Sequence, residues 1–252
     1  MLALERRNEI LEKLQKEKRV IVSELSAYYA VSEETIRRDL EKFEKDGYAI
    51  KSYGGAIFNE STNIDLPFNL RKNTNIIGKQ RIANLLTDLV NDGESLMLDS
   101  SSTAVFIAKA LKDKKKNLTV VTNSIEIIIE LFDASDWRVI STGGLAEEGS
   151  FALVGPKTDQ MLGSYYVNKA IISCKGLSKN AVTDSSELHA QNKNTMLSRA
   201  AAKILAVDSS KFGTAAFAKI CDFNEISMII TDKKPEQKWL KLFKEAKIEC
   251  IF

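Results

Sequence analysis

The chain has 252 residues, with 36 Lys and Arg against 34 Asp and Glu, a net charge of +2, and 44% hydrophobic residues. That length suits a small domain plus one of ordinary size, and the near-neutral balance names no class of partner. No apolar run approaches the ~20 residues that span a bilayer, and charges from Glu5 onward interrupt any signal-peptide core. Cys174, Cys221 and Cys250 are widely spaced and lack a Cys-x-x-Cys pairing, so buried reduced thiols in a cytoplasmic protein are expected.

In chain order, Ile10, Leu11 and Leu14 predict an amphipathic helix over 3–17. Val20-Ile21-Val22 reads as a short strand. Ser23 is expected to cap a second helix with Leu25, Tyr28 and Tyr29 facing inward. Ala30-Val31 leaves room only for a tight turn. Ser32 then caps a third helix, with Glu33 and Glu34 where the helix dipole favours negative charge. Ile36, Leu40 and Phe43 recur at i, i+4 and i+7 as one apolar stripe, which leaves Thr35, Arg37, Arg38, Glu41, Lys42 and Lys45 for other faces. Gly47 suits a helix stop. Tyr48–Phe58 reads as two short strands about Gly54-Gly55, a wing. Residues 1–58 are therefore expected to form a winged helix-turn-helix domain that places its third helix in the major groove of double-stranded DNA.

This segment holds 11 Lys and Arg against 11 Asp and Glu, so it is not basic overall. Binding must rest on Arg37, Arg38, Lys42, Lys45 and Lys51 gathering on one side; the alternative is a helical hairpin with a solvated charged face. Residues 59–74 are polar, contain a proline and lack period, which predicts a linker, with Phe68 and Arg71 as docking points. A helix is expected over 75–91.

The second domain, 75–252, alternates short apolar runs with segments of helical length. The runs are Ser95–Leu98, Leu118–Thr122, Trp137–Ser141, Lys169–Ser173, Lys203–Val207, Ile226–Thr231 and Ile248–Ile251. This is the α/β pattern of a largely parallel sheet, in which ligands bind beyond the carboxyl ends of the strands. Those ends are polar: Asp99-Ser-Ser-Ser-Thr103, Thr122-Asn-Ser124, Thr142-Gly-Gly144, Cys174-Lys-Gly176 with Thr183–Glu187, and Asp208–Gly213. Hydroxyl residues entering a helix at Ala104 predict an anion site, and the set together predicts a polyol-phosphate pocket.

Arg6–Leu11, Val31–Leu40 and Gly54-Gly55-Ala56 resemble the N-terminal domain of DeoR-family bacterial transcription regulators. The later pieces, Asp99–Thr103, Leu118–Ser124, Gly143-Gly144, Gly176, Thr183-Asp184 and Asp208–Gly213, extend that resemblance over nearly the whole chain. It implies an operator-reading third helix using Thr35, Arg37 and Arg38, with Lys42, Lys45 and Lys51 as phosphate contacts by charge and placement. Asp39 is expected to be a local partner for an arginine. The resemblance also implies a sensor domain like ribose-5-phosphate isomerase, binding a phosphorylated sugar that releases the operator. Effector phosphate falls to Ser100, Ser102 and Thr103, and sugar hydroxyls or pocket structure to Asn123, Asp184 and Lys211.

Two positions depart from the family pattern. Ser101 stands where glycine is more usual, and a Cβ restricts backbone approach to an anion. Lys175 stands where an acidic residue is usual. An ammonium there favours anions and carbonyl oxygens, so the effector is expected to differ in polarity or charge from a plain sugar monophosphate; alternatively Lys175 pairs with Asp99 or Asp184. His189, the only histidine, is expected on the surface or pocket rim, and Trp137 and Trp239 in core or interface. No cofactor or metal is expected.

The chain thus reads as a carbohydrate-operon repressor, a homo-oligomer on paired half-sites. The alternative is a sugar-phosphate isomerase with a DNA-binding appendage, using Asp99, Asp184 or Glu187 as base and Lys175 or Lys211 to polarise the carbonyl.

Overall fold

The computed structural model describes residues 2–59 and 66–252. The chain divides into two compact units, Met1–Arg71 and Lys72–Phe252. Residues 60–65 of the expected linker lie outside the described residues, and 68–73 are helical rather than irregular.

The first unit contains α1 (Ala3–Glu17), β1 (Arg19–Ile21), α2 (Val22–Tyr29), α3 (Glu33–Lys45), β2 (Ala49–Ser52), β3 (Gly55–Phe58) and α4 (Phe68–Asn73), which runs on past Arg71. Ile10, Leu11 and Leu14 of α1, Leu25 of α2, and Ile36, Leu40 and Phe43 of α3 form one core with Val20, Ala49, Ala56 and Leu70. Each such large aliphatic or aromatic side chain contributes ~1.5–3 kcal/mol by leaving water. The strands pair antiparallel in the order β1-β3-β2, and Gly54 at φ 73° makes the turn between β2 and β3. A Cβ on Gly55 would lie 1.9 Å from the Val20 carbonyl oxygen, so only glycine lets β3 approach β1.

Two local expectations change. The second helix starts at Val22, and Ile21, which precedes it, supplies no side-chain cap; Ser23 already lies inside the first turn. Tyr28 faces water at 75% exposure and meets half-buried Tyr29 edge-on at 4.8 Å. Neighbouring helical residues point ~100° apart, so the pair cannot both face the core.

The second unit contains α5 (Ile76–Thr87), β4 (Ser95–Leu98), α6 (Ser102–Lys114), β5 (Thr119–Thr122), α7 (Ile125–Leu131), β6 (Arg138–Ser141), β7 (Leu145–Glu147), β8 (Ala152–Val154) and α8 (Pro156–Gly163). There follow β9 (Val167–Ile172), β10 (Gly176–Leu177), β11 (Ala181–Asp184), α9 (Glu187–Ser198), β12 (Ala200–Ala206), β13 (Ala218–Asp222), β14 (Met228–Ile230), α10 (Gln237–Glu245) and β15 (Glu249–Ile251). The expected helix over 75–91 ends at Thr87.

All seven apolar runs enter one sheet, in the order β15-β14-β12-β9-β4-β5-β6, and every pairing is parallel. The chain begins at β4, builds outward through β5 and β6, then returns to β9 on the other flank of β4. The topological switch point, where crevices open in such sheets, therefore lies between β4 and β9. Periodicity did not announce the antiparallel hairpin β7-β8 or the small sheet β10-β11-β13. Phe223, Trp239 and Phe243 are buried in the large core, while half-buried Trp137 donates its indole N–H to the Lys115 carbonyl.

Candidate functional site

In the first unit, Ser32 Oγ accepts the Thr35 backbone N–H at 3.3 Å and shares a 2.9 Å hydrogen bond with the Thr35 hydroxyl, fixing the start of α3. Asp39 turns inward. It is 7% exposed and accepts from Arg6 Nε at 2.7 Å, so its arginine comes from α1, 33 positions away, not from α3 itself. That pair ties α1 to α3.

Arg37 and Arg38 are exposed, each paired one turn back: Arg37 with Glu33 at 2.5 Å and Arg38 with Glu34 at 3.3 Å. Lys51 of the wing lies 3.7 Å from Glu41. The expected cations do not form a single stripe. Arg37 lines a groove with Glu41, Glu44, Lys51, Ser52 and Gly54, between α3 and the wing. At ~100° per residue, Arg38, Lys42 and Lys45 share a second stripe with Thr35. Consecutive arginines straddle the exposed face, and carboxylates occupy the positions between them.

In the second unit, the switch point is polar and its side chains are buried. Asp99, at 1% exposure, follows β4; its Oδ1 accepts from the Ser101 amide at 3.1 Å and the Ser101 hydroxyl at 2.6 Å, and its Oδ2 from the Ser173 amide at 2.9 Å. One carboxylate thus joins the ends of β4 and β9. Ser101, at φ −75°, caps α6 by accepting the Ala104 N–H at 3.1 Å, so its Cβ introduces no strain and its hydroxyl completes the turn. Ser100, Ser102 and Thr103 are buried beside it, at the helix terminus that attracts anions.

Facing them is a residue that sequence reasoning missed. Lys193 of α9, 6% exposed, donates to the Ser173 carbonyl at 2.9 Å and to Asp184 Oδ2 at 2.5 Å, and its ammonium lies 3.2 Å from Asp99 Oδ2. Burial pushes its pKa down; the facing carboxylates of Asp184 and Asp99 more than reverse this and hold it above the usual lysine range. For Asp184, burial pushes up, and Lys193, then Lys175, more than compensate, leaving the carboxyl below its ordinary value. Lys193 makes close ion pairs with both Asp99 and Asp184, and the charge of Lys175 also acts on Asp184. The available signal was α9 itself, which has no apolar stripe: His189, Asn192 and Lys193 are buried alongside Met196 and Leu197.

His189 is likewise not on the surface. It is 7% exposed and hydrogen-bonds Glu147 of β7 at 2.6 Å, joining the hairpin to α9. Asn123, 1% exposed, donates to the Leu153 carbonyl at 2.9 Å, and its Oδ1 has no partner among the described residues. Lys211 closes a 3₁₀ turn, Ser209–Lys211, at the end of β12 and is half-buried. The structure therefore brings Ser100, Ser102, Thr103 and Asp184 around one switch point, with Asn123 at the neighbouring strand end. Cys174 and Cys221 are buried, and burial first of all pushes both thiols up to about 12, which leaves them unreactive. Among the described residues, no cluster of three or more His, Cys, Asp or Glu is placed to hold a metal ion. No described helix is long and apolar enough to cross a membrane.

A winged helix-turn-helix unit joined to an α/β unit with a polar switch point is the architecture of a transcriptional regulator of the one-chain, two-module class. Residues 6–62 match the DeoR-like helix-turn-helix domain, and residues 74–233 match the DeoR C-terminal sensor domain. The chain belongs to the DeoR family of transcriptional regulators.

It is 39% identical over 250 residues to the uncharacterised HTH-type transcriptional regulator YulB of Bacillus subtilis, covering 99% of this chain and 96% of that one. It is 33% identical to the L-fucose operon activator of Haemophilus influenzae (89% and 90% covered) and 32% identical to the HTH-type transcriptional repressor GlcR of Bacillus subtilis (96% and 93%). Among solved structures, ribose 5-phosphate isomerase A from Methanocaldococcus jannaschii is similar over 53% of each chain, at 17% identity and a TM-score of 0.39.

Proposed function

We propose that the protein represses a carbohydrate-utilisation operon and leaves its operator when a phosphorylated sugar occupies the crevice between β4 and β9. The observation that carries this reading is the buried junction of Asp99, Ser101, Ser173 and Lys193 at the topological switch point, directly beside the N-terminus of α6. The first-turn N–H groups and helix dipole favour a phosphate there. Ser100, Ser102 and Thr103 are assigned to that phosphate. Asn123, Lys175 and Lys211 are assigned to the rest of the effector, and Asp184 acts by holding Lys193. The operon named for the Haemophilus influenzae relative supports a carbohydrate pathway; that relative is an activator, and the sign proposed here follows the repressor from Bacillus subtilis.

On DNA, Thr35, Arg37 and Arg38 are assigned to base edges, and Lys42, Lys45 and Lys51 to phosphates. Glu33 and Glu34 hold the two arginines in the free protein, and operator groups displace them. Two copies on paired half-sites follow from the symmetry of such operators. Effector acts by population shift, binding better to the form that misplaces the reading helices.

Among the described residues, the three carboxylates considered as base for the isomerase alternative are each engaged or exposed. Enediol chemistry needs a carboxylate able to take a proton near neutral pH, whereas Asp184 is held low by Lys193. Asp99 already accepts from Ser101 and Ser173, and Glu187 is exposed in the first turn of α9.

A thermal-shift screen of the full chain against hexose and pentose phosphates tests the reading. A ligand at ~100 times its Kd stabilises the second unit by ~2.7 kcal/mol and releases a footprinted operator. If no sugar phosphate shifts the transition, the reading is wrong.

A further inference from the structure

The loop after β12 and the segment before α5 share one carboxylate. Asp232, 4% exposed, follows the end of β14. Its Oδ1 accepts the Ser209 backbone N–H at 2.7 Å and the Thr231 hydroxyl at 3.4 Å, while its Oδ2 accepts from Asn75 Nδ2 at 3.3 Å. Ser209 opens the turn that ends at Lys211, and the Asp208 carboxylate stiffens that turn by accepting the Ser210 N–H at 3.0 Å.

Asn75, the residue before α5, has left-handed backbone angles, φ 51° and ψ 46°, a conformation asparagine tolerates better than most residues. Its amide lies against Gly78, where an added Cβ would stand 2.5 Å from Asn75 Nδ2. Buried Lys79 donates to the Thr74 carbonyl, so the backbone just before α5 is anchored from both sides. Lys72 is three residues upstream and follows Arg71, the last residue of the DNA-binding unit.

We propose that Asp232 is a positioning residue that couples the Lys211 loop to the segment leading into the DNA-binding unit. The proposal rests on the effector reading of the crevice. A ligand that draws on Lys211 displaces Ser209, and the carboxylate follows its shorter bond to the Ser209 amide. The longer bond to Asn75 breaks first, and residues 72–75 are released. In this proposal the one carboxylate, bonded to partners from two elements, acts as the two-state element that both ends bias, which is what coupling between sites requires.

Hydrogen exchange on the full chain, with inorganic phosphate and with hexose and pentose phosphates as probes, tests this. In the wild type, a probe that protects 99–104 and 209–213 also changes exchange over 72–82. Asp232→Asn keeps one acceptor for the Ser209 amide but removes the carboxylate oxygen that holds Asn75 Nδ2, leaving at most a weaker neutral amide–amide contact if the Asn75 amide turns over. It is expected to keep the protection at 99–104 and to reduce the change at 72–82 by about threefold or more. Combining Asn75→Asp with Asp232→Asn reverses donor and acceptor across the same pair and restores the response, which a purely structural role would not do.

If Asp232→Asn retains the full response at 72–82, or the double exchange fails to restore it, the coupling role is overturned. The same holds if the wild type protects 99–104 without any change at 72–82, with the effector reading left standing. If no probe protects 99–104 in any variant, the effector reading itself fails and takes the coupling with it.

Discussion

Lys193 Nζ stands 2.5 Å from Asp184 Oδ2, with side chains 8% and 3% exposed, at a junction where Asp99 supplies a second carboxylate. A buried ammonium with two carboxylates costs desolvation that only good geometry offsets. Here the Ser173 carbonyl, the Ser185 amide and the Ser101 hydroxyl complete the polar contacts.

Lys193→Met leaves two buried carboxylates facing each other. It is expected to destabilise the second unit by ~3–5 kcal/mol, read as an early melting transition at neutral pH. The Asp184 carboxyl is held below its ordinary 3.8 in the wild type, so its contribution is present above that value and lost as pH falls through the lower folded one. In Lys193→Met the sign reverses, because protonation relieves the unpaired charge; the gap between variant and wild type narrows as pH falls towards 4. A gap independent of pH would rule out the charge explanation.

Arg37→Ala and Arg38→Ala are each expected to weaken operator binding by ~1–3 kcal/mol if they read bases, with the double variant losing the footprint. Their ion pairs with Glu33 and Glu34 are solvent-exposed, so thermal stability stays within about 0.5 kcal/mol of wild type. A loss that is uniform across sequences, with the salt slope reduced by ~1, would assign that arginine to a phosphate instead. Undiminished footprinting by the double variant would remove α3 from the interface.

Ala30 ends α2 in the left-handed region, φ 51° and ψ 45°, where its Cβ crowds the backbone. Ala30→Gly is expected to raise the stability of the first unit by ~0.5–1 kcal/mol, even after the greater entropy of unfolded glycine. Chemical denaturation monitored on the first unit measures it, and a destabilised variant would contradict that geometry.

Gly55→Ala forces a Cβ to within 1.9 Å of the Val20 carbonyl oxygen, which is backbone and cannot swing aside. β3 then separates from β1. Nuclear magnetic resonance should show displaced amide signals for 19–21 and 55–57, weakened DNA binding and an unaltered second unit. An unchanged β1-β3 pairing would contradict the close approach.

Much of the fold was legible because it depends on short-range pattern. The stripe of Ile36, Leu40 and Phe43, the Ser32 cap and the two glycines of the wing are local choices, each with one satisfactory local geometry. The central strands β4, β5, β9 and β12 were legible for the same reason: strands buried on both faces read as β-branched and aliphatic runs, and the edge strands β6 and β15 carried partial versions of that pattern. What stayed hidden involved pairs distant in the chain. Asp39 was visible as an arginine partner, but Arg6 was not. His189 and Lys193 looked like ordinary helix polar residues because their partners, Glu147 and Asp99, lie 42 and 94 positions away.

By itself, then, the order of residues determined the winged helix-turn-helix, the alternation of strands and helices, and the polar character of the strand ends. Each depends on periodicity, capping and turn chemistry within about a dozen neighbours. Tertiary structure alone decided that β9 returns beside β4, so that Ser173 meets Asp99. It also decided that α9 delivers Lys193 into the gap and that Asp232 serves two elements at once. These outcomes turn on which distant segments become neighbours in space, and a buried charge finds its partner only once those segments have packed.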